Sequence, residues 1–88
     1  MKHATPQCLD ALEPLLEDIR RHTTLKERSR GVFYLRSRAI LHFHEDPAGV
    51  FADLHKEGDW HRFPVNSRIE RRELLRQLSL CLGSEVPP

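Results

Sequence analysis

The sequence predicts an α+β fold, a two-layer sandwich of α-β-β-β-β-α order. A four-stranded antiparallel meander is covered on one face by an N-terminal and a C-terminal helix. Three observations carry this expectation. Apolar residues recur every three or four positions at both ends of the chain and alternate between them. Turn-forming residues cut the alternating region at short intervals. Two independent hairpin registers then place the same apolar residues on one face.

In the first helix Cys8, Leu9, Leu12, Leu15, Leu16 and Ile19 form a stripe between Thr5 and His22. Thr5 fits an N-cap and Pro6 the first helical position. Pro14 falls inside the stripe without changing its phase, which predicts one helix kinked there. Thr23–Arg30 is polar and basic and reads as a loop. Val32–Leu35 and Ala39–His44 read as strands around Arg36-Ser37-Arg38. Asp46-Pro47-Ala48-Gly49 suits a type I turn, and Val50–His55 follows as a third strand. Glu57-Gly58 suits a two-residue hairpin loop before a fourth strand, Trp60–Val65, whose Pro64 belongs at an edge or exit. The last helix opens with a capping box, Ser67 with Glu70, and carries Leu74, Leu75, Leu78, Cys81 and Leu82 up to Gly83.

If residues 46–49 and 57–58 are the loops, Leu41 faces Leu54, which faces His61, and Phe43 faces Ala52, which faces Phe63. Both registers put Leu41, Phe43, Val50, Ala52, Leu54, Phe63 and Val65 on the face the helices cover. The opposite face collects His42, His44, Phe51, Asp53, His55, Trp60 and Arg62, a poor match to ordinary solvent cover.

Composition bounds the function. The 88 residues fit one domain, ordered over about residues 5–83 with 84–88 as a tail. With 39% hydrophobic and 31% charged residues the chain reads as soluble and globular. No run approaches the ~20 apolar residues of a membrane helix. Residues 1–6 lack the apolar centre of a secretory signal. Cys8 and Cys81 have no CxxC partner spacing, so they read as small hydrophobes in a reducing, cytoplasmic setting.

Net charge is +1, unevenly spread. Residues 20–38 carry +6, with seven basic side chains against Glu27 alone, and residues 45–59 carry −4. The basic segment Arg20–Arg38, with Arg28, Arg30, Arg36 and Arg38, is a candidate nucleic-acid surface. His42, His44 and His55 are candidate metal ligands with zinc as the candidate ion, although Arg62 opposite Asp53 suggests a cross-strand ion pair there. His42 opposite Asp53 has the look of a base with its orienting carboxylate, but no Ser or Thr maps to the middle of that face. Catalysis is therefore not expected. Trp, Phe and Arg on an open sheet predict a binding domain, most simply a homodimer, whose contact surface is the histidine–aromatic face.

Overall fold

Short turns build the sheet from local hairpins. The computed structural model describes residues 2–83, and the tail expected over 84–88 lies outside them. In chain order the elements are β1 (Lys2–His3), α1 (Pro6–Ala11), α2 (Glu13–Arg20), β2 (Leu25–Ser29), β3 (Val32–Leu35), β4 (Arg38–Asp46), β5 (Gly49–Lys56), β6 (Asp59–Pro64) and α3 (Arg68–Cys81). The strands pair antiparallel in the order β2-β3-β4-β5-β6. β1 adds to the stretch of β4 that β3 leaves free, pairing Lys2 with Glu45 and His3 with His44.

The α+β class and antiparallel sheet match the expectation, while the strand count rises from four to six. Residues 23–30, read as a loop, contain β2. Its side chains are nearly all polar, and it is held as an edge strand by pairing with β3. The second added strand, β1, has only two residues, too few for any periodicity. The single kinked helix is instead two helices meeting at Leu12, because Pro14 sits in the first turn of α2, where its missing N–H is not needed.

Both long hairpin registers agree with the sequence. Leu41 lies across from Leu54, Phe43 from Ala52, and Ala52 from Phe63. The first turn is tighter than a four-residue loop: Asp46 and Gly49 already pair, and Asp46 Oδ1 accepts the Ala48 N–H at 2.7 Å. Glu57 and Gly58 both have positive φ, +53° and +81°, as the right-handed strand twist asks of a two-residue hairpin loop. A bulge between β3 and β4 leaves Ile40 as an extra residue, and its side chain joins the core.

The helices cap as the sequence requires. Thr5 Oγ1 accepts the Cys8 N–H, and Ser67 and Glu70 form the reciprocal capping box. One face of α2 (Leu15, Leu16, Ile19) and one of α3 (Leu74, Leu78) pack with Phe33, Leu41, Phe43, Ala52, Leu54 and Val65 in a single core. Gly31, at φ +81°, lets the β2–β3 turn pass under α1, since a Cβ there would meet Leu9 at 2.9 Å. Among the described residues, no helix covers the other face of the sheet.

Candidate functional site

The open face is centred on β4 and β5, two of the three inner strands of the sheet. Strand alternation sends His42 and His44 from β4 to this side, Phe51, Asp53 and His55 from β5, and Trp60 and Arg62 from the edge strand β6. Asp53 is the anchor. It is 6% exposed, and Arg62 grips it with two parallel bonds, Nε to Oδ1 at 2.8 Å and Nη2 to Oδ2 at 3.0 Å. The ion pair expected from the register is present.

His44 completes this arrangement. Its Nδ1 lies 2.8 Å from Asp53 Oδ2. An ionised carboxylate only accepts, so this nitrogen carries the proton and donates. Burial opposes ionisation of Asp53, but the Arg62 and His44 hydrogen bonds outweigh it and hold the carboxyl below its ordinary range. His42, although directly across from Asp53, is not the residue that bonds it. The base-and-carboxylate geometry therefore runs diagonally, through His44.

His42 is enclosed by rings. Its centroid is 4.6 Å from that of His44 and 4.7 Å from that of Trp60. Its Nδ1 is buried and has no hydrogen-bond partner. Burial, reinforced by the neighbouring His44, pushes its pKa down and keeps the ring neutral. His55 does not join His44 and Asp53; it packs edge-on against Trp60 at 5.1 Å. The imidazole beside His44 is instead His3, with a centroid separation of 4.9 Å. Sequence reasoning missed His3, because nothing in a two-residue strand signals which partner it will find.

Ligand atoms of His42, His44 and Asp53 lie within 4.8 Å of one another, the one grouping of this kind found among the described residues. Among the described residues, no Ser, Thr or Cys side chain hydrogen-bonds His42, His44 or Asp53. Cys8 and Cys81 are free and half-buried, and burial raises the pKa of both thiols.

The basic segment is less basic in space than in sequence. Arg20 reaches Glu13, Glu17 and Glu27, and Arg30 reaches Asp10 at 2.7 Å and Glu13 at 2.8 Å. Two of its cations are thereby tied to the N-terminal helices. Arg28 lies over the Tyr34 ring at 5.0 Å, and Arg36 and Arg38 remain exposed. A separate cleft of about 530 Å³ opens between α2 and the start of α3, with Asp18, Arg68, Arg71 and Arg72 among its lining residues. No helix of the described residues is long and apolar enough to cross a membrane. Compared with known proteins, the chain matches no family model, no curated protein and no solved structure.

Proposed function

We propose that the chain is a small binding module that works as a homodimer through the histidine–aromatic face of its sheet. One observation carries this reading: Trp60 is 43% exposed on an uncovered sheet face, with its ring against His42 and His55 and with Phe51 on the same side. Large aromatics beside a fixed arginine are the composition of interface centres rather than of solvated surface. A second copy suits the charges. The β3–β4 turn with Arg36 and Arg38 and the β5–β6 turn with Glu57 and Asp59 lie at the same end of the sheet. A two-fold axis between copies would let each basic turn meet the partner's acidic one.

Light scattering across a concentration series tests this. The expected mass is twice 10.3 kDa, falling to 10.3 kDa in Trp60→Ala. A wild-type chain that stays at 10.3 kDa at roughly 100 µM refutes it. Two free, half-buried thiols fit a reducing, cytoplasmic compartment.

Nucleic-acid binding is the second reading, and it has shrunk to Arg28, Arg36 and Arg38 with Lys26 beside them. These four are exposed and form no ion pair among the described residues. A labelled oligonucleotide whose binding weakens with salt and disappears in Arg36→Glu/Arg38→Glu would put this reading first.

A further inference from the structure

The geometry points to a transition-metal site made by three imidazoles, His3, His42 and His44, with Asp53 behind them as an orienting group. The site lies within one chain and stands independently of self-association.

The assignment begins with what Asp53 can no longer do. It belongs to the tight grouping with His42 and His44, so a first glance would make it a ligand. Arg62 already takes both of its oxygens, and His44 Nδ1 takes Oδ2 a second time. A cation bound directly to Asp53 would also face the guanidinium at close range. The same contacts suit the carboxylate to a different role. A metal-binding histidine commonly donates its second ring N–H to a carboxylate, which fixes the tautomer and raises the basicity of the ligating nitrogen. Asp53 does this for His44: a proton is held on Nδ1, which leaves Nε2 as the nitrogen available to a metal ion.

His42 stands where such an ion needs it, and His3, which lies outside the tight grouping, stands close by. With metal–nitrogen bonds near 2 Å, imidazoles sharing one tetrahedral ion have centroids about 5 Å apart. The His42–His44 and His3–His44 separations are 4.6 and 4.9 Å. The His3–His42 separation is 6.1 Å, and closing it by about 1 Å falls to His3, an exposed side chain on a two-residue strand. The unpartnered Nδ1 of His42 adds a second, separate sign. A buried polar nitrogen without a partner calls for one, and a ligand at this cluster would supply it. Three imidazoles with no thiolate select zinc, nickel, copper or cobalt over magnesium or calcium. Three protein ligands leave a fourth position for water, the arrangement of an open site rather than a closed structural one.

Zinc, and cobalt as its coloured substitute, added to the untagged full-length chain test the assignment. The expected result is one ion per chain, with visible cobalt bands of tetrahedral intensity and no response to magnesium. His3→Ala, which removes an exposed side chain, and His42→Ala should each weaken zinc by at least about 10-fold and alter the cobalt bands. His61→Ala, across from Leu54 on the helix side, should leave both unchanged. The site is refuted if zinc does not bind. It is also refuted if His55→Ala rather than His3→Ala removes binding, or if half an ion per chain is bound between copies. A chain that takes up zinc as a 10.3 kDa monomer leaves this site standing and removes the homodimer.

Discussion

The two faces of the sheet are made by alternate residues of the same strands, yet different forces hold their side chains. Under the helices, Leu41, Ala52 and Leu54 are fully buried and interchangeable in kind, so shape and apolar area do the stabilising. On the open side, residues one step along the chain (His42, Asp53) are held by directional bonds and ring contacts. Asp53 shows the contrast best. At 6% exposed it is nearly as buried as the core residues, but three charge-assisted hydrogen bonds rather than packing account for its place. A covered face tolerates apolar swaps of similar volume, whereas the open face depends on particular atoms.

Leu54→Ala should produce the largest effect, a loss of about 2–5 kcal/mol in urea unfolding, because nothing on the helix side can fill the gap. Asp53→Ala should come next at about 1–3 kcal/mol, since it strands the mostly buried His44 donor, while the half-exposed Arg62 turns to water. If Asp53→Ala proved as harmless as a surface change, the open face would be ordinary solvent cover.

His22 sharpens the comparison from the covered side. It is buried, and burial depresses its pKa from 6.5. The unfolded chain binds that proton more readily than the folded one, so the contribution of neutral His22 is complete above about pH 6.5 and is lost as pH falls toward its folded value. Unfolding midpoints at about pH 7.5 and about pH 5.5 should therefore fall less in His22→Gln than in the parent chain. Equal slopes would mean that His22 takes up its proton as freely folded as unfolded. Trp60→Ala should have the smallest effect on monomer stability, about 1 kcal/mol or less by thermal melting, despite removing the largest side chain of the open face.

What could be read from the sequence divides along the same line. Period-two alternation and two short turns locate the covered face residue by residue, because a slip by one position would expose the entire apolar set. The Asp53–Arg62 pair follows from the same register. The His44–Asp53 bond does not, because register gives the residue directly opposite, and this bond runs diagonally. β2 hides because only Leu25 among its residues packs against the core and its other side chains are polar. The +6 segment misleads for a similar reason: its neutralising acids lie upstream on the helices, Glu13 and Glu17 on the helix of Arg20 itself, and only the fold brings Asp10 and Glu13 to Arg30.

The Pro47-Ala48 turn gives this face an order of assembly. His44 and Asp53 are nine residues apart, as are Asp53 and Arg62, so hairpin closure alone unites them on the microsecond scale of such events. His3 arrives differently. Its strand must search out β4 from some forty positions upstream, as the Thr5–Glu45 bond beside it records. Chain topology thus makes two imidazoles neighbours from the outset, whereas the third depends on a contact closed across some forty residues.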